Sequence, residues 1–244
     1  LLIRAGRKLS PGEVGLLAAS GYDSVEVFKK PRVGILILGD EIQRSGLPKD
    51  GNIRDSLGPQ LPGWLEALGC EVIHVAFVED ELQPLINAID ELQPSVEIIV
   101  TTGSTAHGPR DFLHQALEKL KGELEIDEVA VRPGHPQLLA TLRGTYIFGL
   151  PGNPQSAVAS LMTIGRSLID AIFGRELEEL LEVELVGEYS AQPGFTRMII
   201  GQLKLNRFTP SPYLGSAMLR GLSGANGFAI ISNPPSSIRW LELP

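Results

Sequence analysis

The chain has 244 residues, of which 43% are hydrophobic and 20% are charged, with 27 glycines and 18 prolines. This composition is typical of a globular protein and excludes disordered, collagen-like and coiled-coil chains. The formal net charge of −8 argues against broad contact with a nucleic-acid backbone, because such contact depends on lysine and arginine displacing counterions. The length favours one large domain with a smaller one beside it.

The cysteine content and the N-terminal residues indicate the cellular compartment of the protein. Cys70 is the only cysteine, which excludes an intramolecular disulfide framework and a multi-cysteine metal site. No apolar run approaches the roughly 20 residues that a membrane helix needs. The N-terminus lacks the basic and apolar regions of a signal peptide. We therefore predict a soluble, cytoplasmic protein without a membrane partner.

Short β-branched runs alternate with longer helical stretches from residue 31 to residue 178, a pattern typical of parallel strands linked by crossover helices. A short helix at 13–19 and a strand at 24–28 are predicted before this region. Within it, the predicted strands are residues 33–38, 72–76, 98–101, 129–132, 137–142 and 146–150. The predicted helices are residues 57–68, 81–92, a segment from near 111 that ends before 122, and 154–173. We expect a mostly parallel sheet flanked by helices.

The pattern changes after Gly174. Short alternating runs at 198–200, 228–231 and 238–241, separated by many turn residues, predict a small antiparallel β domain. A boundary near residues 175–179 divides the chain into an α/β domain over 31–178 and a β domain over 179–244.

Carboxylates follow the predicted strands at the points where these end. Asp40 and Glu41 follow the first strand and Asp55 lies in the loop beyond it, while Asp80 follows the second strand and Asp111 lies beyond the third. The ligand crevice of an open parallel sheet lies beyond the carboxyl ends of its strands, so we expect these groups to converge. A hard cation such as Mg²⁺ would make such a cluster tolerable. Alternatively, the last three of these aspartates each cap a helix.

Three loops carry groups that suit an anion. Residues 101–105 (TTGST) offer hydroxyls and backbone N–H groups between a strand and a helix, although this composition is also that of an ordinary turn. Residues 132–136 (RPGHP) hold a cation and a titratable donor on a stiff backbone, which suits an oxyanion unless the segment is only a proline-stiffened turn. Residues 149–157 (GLPGNPQSA) join a strand end to a helix start in an order that turn formation alone does not explain. The sequence has no Walker loop and no zinc-hydrolase motif.

These motifs resemble the MoeA/gephyrin family of molybdopterin molybdotransferases, in order along nearly the whole chain. The resemblance rests on G-D-E at 39–41, on residues 132–136, and above all on the phrase G-L-P-G-N-P-x-S-A at 149–157. Residues 193–197 (PGFTR) and 215–219 (GSAML) look like that family's C-terminal β domain. The resemblance implies a molybdopterin-binding α/β fold similar to MogA, followed by a small barrel-like antiparallel β domain.

The same resemblance implies Mg²⁺-dependent insertion of molybdate into adenylylated molybdopterin, with release of AMP. It implies catalytic and metal-binding roles for Glu41, Asp80 and Asp111. The substrate-binding residues that it implies are Asp40, Asp55, Thr102, Gly103, Ser104, Thr105, Arg132, Pro133, Gly134, His135, Pro151, Gly152, Asn153, Pro154, Ser156, Arg197 and Ser216. Of these, Gly103 and Ser104 would lie against the pterin phosphate, whereas five would approach molybdate, namely Arg132, His135, Ser156, Arg197 and Ser216. It also implies a homodimer, with other molybdenum cofactor biosynthesis enzymes as partners.

Departures from the family pattern leave two alternatives open. Residues 102–112 differ from the family's S-G-G-V-S-V-G-x-x-D-F and look closer to the T-T-G-G-T-G-x-x-P-R-D loop of MogA-type adenylyltransferases. His135 stands where the family has lysine, and Ser104 where it has glycine. The family's two N-terminal domains are mostly absent, and residues 1–30 resemble only their return into the sheet domain. The alternatives are a molybdopterin adenylyltransferase and a non-catalytic molybdopterin-binding protein.

Overall fold

A computed structural model of the chain describes residues 2–49, 51–106, 108, 111–177, 179–232 and 237–244. The helices are α1 Pro11–Ala19, α2 Leu57–Ala67, α3 Leu82–Leu92, α4 Phe112–Leu120, α5 Pro154–Ser160, α6 Arg166–Ile172 and α7 Leu219–Ser223. The strands up to the end of the first sheet are β1 Arg32–Leu38, β2 Ile42–Gln43, β3 Ile53–Arg54, β4 Glu71–Val78, β5 Ile98–Thr102, β6 Glu123–Asp127, β7 Val131–Arg132, β8 Leu138–Leu142 and β9 Thr145–Leu150. The remaining strands are β10 Leu181–Glu182, β11 Glu184–Leu185, β12 Thr196–Lys204, β13 Arg207–Pro210, β14 Gly227–Ile231 and β15 Arg239–Glu242. A π-helical turn, Leu161–Gly165, joins α5 to α6.

The first sheet has the order β4-β1-β5-β9-β8-β6. Strands β4, β1, β5 and β9 are parallel, and β8 and β6 add an antiparallel edge. The central strands are continuous apolar runs because both of their faces are buried. Helix α2 and the α5–α6 helix pack on one face, and α3 and α4 pack on the other. The predicted mostly parallel sheet flanked by helices is confirmed.

The second sheet has the order β10-β15-β14-β12-β13-β11 and is barrel-like and mostly antiparallel, as predicted. Two of its pairs are parallel, namely β11 with β13 and β7 with β12. Strand β7 lies between β6 and β8 in the chain, so the first part of the chain contributes a strand to the second sheet. One hydrophobic cluster extends from Val33 and Phe148 to Met198 and Phe228. The two sheets therefore pack on a shared core.

Two strand predictions are wrong. Residues 24–28 form no strand, because their exposed backbone has no neighbouring strand with which to pair. The strand predicted at 129–132 is reduced to Val131–Arg132, while the polar run Glu123–Asp127 before it forms the edge strand β6. An edge strand exposed to solvent lacks the apolar pattern by which buried strands are recognised.

The described ranges include no helix with the length and the apolar character needed to span a bilayer.

Candidate active site

The 149–157 segment lies at the centre of the candidate site. Strand β9 ends at Leu150, whose carbonyl accepts a hydrogen bond of 2.8 Å from the backbone N–H of Gly103. A Cβ atom built on Gly152 would lie 3.8 Å from the Cα atom of Gly103. Pro154 begins α5, a position at which its fixed φ suits the first helical turn. The loops after β5 and β9 are thus neighbours at the carboxyl end of the sheet.

The 132–136 loop packs against α5 through a glycine. Gly134 has a φ of +112°, and a Cβ atom there would lie 2.9 Å from Ser160 Oγ and 3.4 Å from the carbonyl oxygen of Ser156. The Ser160 hydroxyl and the Gln137 side-chain amide both donate hydrogen bonds to the Gly134 carbonyl, at 3.3 and 2.9 Å. Only glycine combines this backbone conformation with so close an approach. Gly134 and Ser156, both predicted at the site, are therefore brought together.

Two predicted arginines lie next to each other on neighbouring strands. Arg132 of β7 and Arg197 of β12 are register partners. The Arg132 guanidinium carbon lies 4.6 Å from the centroid of the Phe195 ring, and that of Arg197 lies 5.4 Å from the centroid of the Tyr189 ring. An aromatic face attracts a guanidinium and limits its orientations. The two cations are therefore held side by side by aromatic rings.

His135 shares the Phe195 ring with Arg132. Its ring meets that of Phe195 edge to face, with centroids 5.2 Å apart. The His135 Nδ1 atom lies 2.7 Å from the carbonyl oxygen of Val129, which can only accept, so Nδ1 carries the proton. The other ring nitrogen, Nε2, lies 3.4 Å from a carboxylate oxygen of Glu128.

Four carboxylates converge beyond β1, β4 and β5, as expected from their positions after the strands, namely Asp40, Glu41, Asp80 and Asp111. The Ser104 hydroxyl donates a 2.8 Å hydrogen bond to Asp80 Oδ1, and the Asp80 backbone N–H donates to Asp40 Oδ1 at 3.2 Å. Burial raises the pKa of Asp80 above its ordinary value, the Ser104 hydrogen bond opposes that rise, and the charges of Asp40, Glu41 and Asp111 add to it. Negative charge is thus concentrated at Asp80.

Asp111 stands at the N-cap position of α4, but its side chain makes no capping hydrogen bond. Instead its carboxylate accepts hydrogen bonds from the backbone N–H groups of Gly108, at 2.7 Å, and Ala106, at 3.3 Å. Asp111 therefore organises the loop before the helix. His107, Pro109 and Arg110 of the same loop lie outside the described residues.

Asp55 behaves differently from the other aspartates. It is buried, and its Oδ1 atom accepts hydrogen bonds from the backbone N–H groups of Leu57 and Gly58, each at 3.0 Å. These are the first N–H groups of α2, so the carboxylate has the helix-capping role considered for it. Asp80, by contrast, accepts a hydrogen bond from the Ser104 hydroxyl of another loop. A substrate contact for Asp55 stays a prediction.

The hydroxyls of the 101–105 loop point to different surroundings. Thr102 Oγ1 accepts a 3.4 Å hydrogen bond from the Leu38 backbone N–H, which ties the ends of β5 and β1 together. Thr105 is buried with its methyl group beside Gly149. Between them, Gly103 and Ser104 have φ values of +77° and +52°. This left-handed turn places the Ser104 hydroxyl at Asp80.

A metal ion at these carboxylates would need their oxygen atoms to lie around one point. Among the residues that the structure describes, no three histidine, cysteine, aspartate or glutamate side chains are grouped as they would be around a metal ion. Magnesium is usually held by one or two carboxylates together with waters and substrate phosphates. Such a site would not show as a cluster of three protein ligands, so a cation at Asp80 stays a prediction.

Sequence reasoning missed Gln155. Its backbone N–H donates to the carbonyl oxygen of Ser216 at 2.8 Å, which connects this predicted site residue to the start of α5. Its side-chain amide donates to the carbonyl oxygens of Tyr213 and Met218, at 2.9 and 2.6 Å. Gln155 occupies the one open position of the phrase at 149–157. A long polar residue at the second position of an otherwise small and apolar helix start was the available signal.

A family model described as a probable molybdopterin binding domain matches residues 34–171. The chain belongs to this family. It is 28% identical over 93% of its length to the molybdopterin molybdenumtransferase of Staphylococcus aureus strain COL, and 29% identical over 99% to that of Bacillus subtilis strain 168. The matched regions cover 56% and 57% of those proteins, so the chain spans about half the length of these relatives.

Solved structures agree with this family. The molybdopterin biosynthesis MoeA protein of Pyrococcus horikoshii superimposes with a TM-score of 0.83 and 25% identity, over 100% of this chain and 62% of that one. A second structure of a MoeA protein from the same organism gives a TM-score of 0.79 at 22% identity and supports the fold. The resemblance to MoeA that the motifs indicated is therefore confirmed.

Proposed function

We propose that the chain acts in molybdenum cofactor biosynthesis as a MoeA-type molybdopterin molybdenumtransferase. In this proposal it inserts molybdate into adenylylated molybdopterin in a Mg²⁺-dependent reaction that releases AMP. The observation that carries the proposal is the meeting of the Asp80 carboxylate cluster with the loops after β5 and β9, at the ligand-binding edge of the parallel sheet of a molybdopterin-binding family member. The molybdenumtransferase names of the relatives support the same reaction.

One half of the proposed site would handle the phosphoanhydride. Breaking this bond leaves negative charge on the departing AMP, and Mg²⁺ would neutralise that charge. Because Glu41, Asp80 and Asp111 are not grouped as three ligands of one ion, the ion would be held by one or two of these carboxylates together with waters and the substrate phosphate. Through its hydrogen bond to Asp80, the Ser104 hydroxyl favours the ionised carboxylate that a cation requires. The close approach of Gly103 to Gly152 leaves backbone, rather than side chains, at the surface where a phosphate would lie.

The other half would bind molybdate. Arg132 and Arg197 present two permanent cations from adjacent strands, and their aromatic partners limit the guanidinium orientations. Guanidinium groups form strong charge-assisted hydrogen bonds with tetrahedral oxyanions. His135 commits its Nδ1 proton to the Val129 carbonyl, so any proton that it exchanges with a ligand is exchanged at Nε2. We further propose the two-domain division at 175–179, a cytoplasmic location and a homodimer.

The test is an AMP-release assay on the purified chain with adenylylated molybdopterin and Mg²⁺. We expect AMP to appear only after molybdate is added. Consumption of ATP with molybdopterin would instead identify an adenylyltransferase. Retention of the pterin without any AMP, with or without molybdate, would identify a non-catalytic binding protein and contradict the proposal.

A further inference from the structure

We propose that Gln155 is a positioning residue that holds the 213–218 segment against the start of α5 and so places Ser216 for the molybdate step. This inference rests on the proposed function. It assigns a role to a residue outside the set of site residues that the sequence indicated.

Gln155 binds the 213–218 segment at three points. Its side-chain amide uses both of its donors on the Tyr213 and Met218 carbonyls, and its backbone N–H binds the Ser216 carbonyl between them. The residue is only 1% exposed. A buried amide whose two N–H groups both reach carbonyls of a single loop fixes the position of that loop, because each lost bond would leave a buried polar group unpaired.

A glycine of α7 lies close to both the Gln155 amide and the 213–218 segment. A Cβ atom on Gly221, in α7, would lie 2.5 Å from Gln155 Nε2 and 2.4 Å from the Tyr213 carbonyl oxygen. Only a residue without a side chain lets α7 pack this closely over the two hydrogen-bonded groups. The glutamine and this glycine therefore form one packing arrangement between α5 and α7.

The 213–218 segment depends on these bonds because few of its own side chains are buried. Tyr213, Gly215, Ala217 and Met218 are exposed, while Leu214 is partly buried against the hydrophobic core. The segment closes a turn through the Met218 backbone N–H, which donates to the Gly215 carbonyl at 2.8 Å. Without Gln155 the turn would persist locally but would lose its fixed position beside α5.

The position of Ser216 matters for the site because of what else α5 carries. Ser156, the next residue after Gln155, lies where the helix meets the 132–136 loop through Gly134. Gln155 thus connects the 213–218 segment to the same turn of α5 that packs against the 132–136 loop. Both parts of the proposed molybdate site, the 213–218 segment and the 132–136 loop, therefore contact the start of α5.

The experiment compares Gln155→Met with the matched control Gln93→Met. Methionine keeps the length of the side chain and removes its donors. Gln93 Nε2 also donates two hydrogen bonds, to Thr145 Oγ1 at 3.1 Å and to the Arg143 carbonyl at 3.4 Å, but at the opposite end of the sheet. Amide hydrogen exchange of residues 213–218 and the KM for molybdate are measured for both variants and for Gln155→Asn, which keeps the amide on a shorter stem.

In Gln155→Met we expect exchange of the 213–218 amides to accelerate at least tenfold and the KM for molybdate to rise at least tenfold, with kcat changed less than threefold. Gln155→Asn should give smaller changes in the same direction, and it serves as the test variant if Gln155→Met does not fold. Gln93→Met should leave both quantities unchanged.

Unchanged exchange in the Gln155 variants would overturn the inference whatever the activity. Faster exchange with an unchanged KM would show a merely structural tie and would also overturn it. If the unmodified chain releases no AMP with molybdate, the proposed function fails, and the positioning role fails with it. The exchange data then still report separately whether Gln155 holds the segment.

Discussion

Carboxylates at the two ends of the parallel sheet have pKa shifts in opposite directions. At the amino-terminal end, the Arg32 guanidinium lies 3.1 Å from Glu97 Oε1 and the Arg32 backbone N–H donates to Glu97 Oε2 at 2.7 Å, so that the pKa of Glu97 is lowered. At the carboxyl end, burial and the neighbouring carboxylates raise the pKa of Asp80. An opposite charge stabilises the carboxylate at one end, whereas burial and like charges destabilise it at the other.

The backbone does not repeat this contrast, because positive φ values occur at both ends of the sheet, including those of Arg143 and Gly144 just before β9. Where β9 begins, Thr145 is buried and its hydroxyl lies within hydrogen-bond distance of the Gln93 and Val96 carbonyls. Where β1 and β5 end, Gly39, Gly103 and Ser104 all have positive φ values. For Ser104, which has a Cβ atom, this conformation costs free energy and persists because the surrounding structure fixes it, which is common at functional sites.

The largest expected effect is on catalysis at the carboxyl end. Asp80→Asn should lower molybdate-dependent AMP release by about 100-fold or more, because the variant lacks a carboxylate assigned to the chemistry. Steady-state assays at saturating Mg²⁺ measure this. A decrease of less than threefold would exclude Asp80 from the reaction.

The same variant should not lose stability. Because the folded-state pKa of Asp80 is raised, ionising this group costs the folded state stability as the pH rises through that pKa. Asp80→Asn should therefore be at least as stable as the unmodified chain at pH 7, and the difference should vanish as the pH falls below the ordinary aspartate pKa. Urea unfolding at a series of pH values tests the sign.

The second effect concerns the close packing of the 132–136 loop. Gly134→Ala should lower the free energy of unfolding by about 3 kcal/mol, since it adds a contact with Ser160 to the strain of a positive φ. The control is Gly144→Ala. Gly144 also has a positive φ but has nothing within 4 Å of its Cβ position, so about 1 kcal/mol is expected. Equal losses would contradict the packing of Gly134 on α5.

The third effect tests the hydroxyl of Ser104. Ser104→Ala and Ser104→Gly should each lower AMP release by about 10-fold, because both remove the hydrogen bond to the Asp80 carboxylate. Only Ser104→Gly relieves the positive φ, so it should be the more stable of the two. If activity follows stability rather than loss of the hydroxyl, the role assigned to this bond is wrong.

The smallest effect belongs to the amino-terminal end. Glu97→Gln should lower the free energy of unfolding by at most about 1 kcal/mol at pH 7, because the ion pair is partly exposed and screened. The lowered pKa means that this stability is present above the ordinary glutamate pKa and is lost as the pH falls through the folded-state value. AMP release should remain within twofold. A large loss of activity would remove the contrast between the two ends.

The sequence predicted the central strands and the convergence of the carboxylates, because strands buried on both faces are continuous apolar runs and the groups after them share one edge. It did not predict β6, whose exposed polar residues are ordered only by pairing with β8. The contacts of Gln155 were also not predicted, since they join it to carbonyls 58 and 63 residues away in the chain. Such contacts have no local sequence pattern.

The capping alternatives show where sequence reasoning reached its limit. Three aspartates lie shortly before helices, namely Asp55, Asp80 and Asp111. The local sequence does not distinguish which of them cap a helix. Only the fold separates them, because Asp55 accepts N–H groups of its own helix whereas Asp80 receives the hydroxyl of Ser104 from another loop.

The most direct test of the central claim is a carboxyl-carbon NMR titration of Asp80 and Glu97 with and without adenylylated molybdopterin and Mg²⁺. If the carboxyl end of the sheet is the substrate site, binding should bring the raised pKa of Asp80 below its ordinary value and leave that of Glu97 unchanged. An Asp80 pKa that does not respond to the two ligands would contradict the claim.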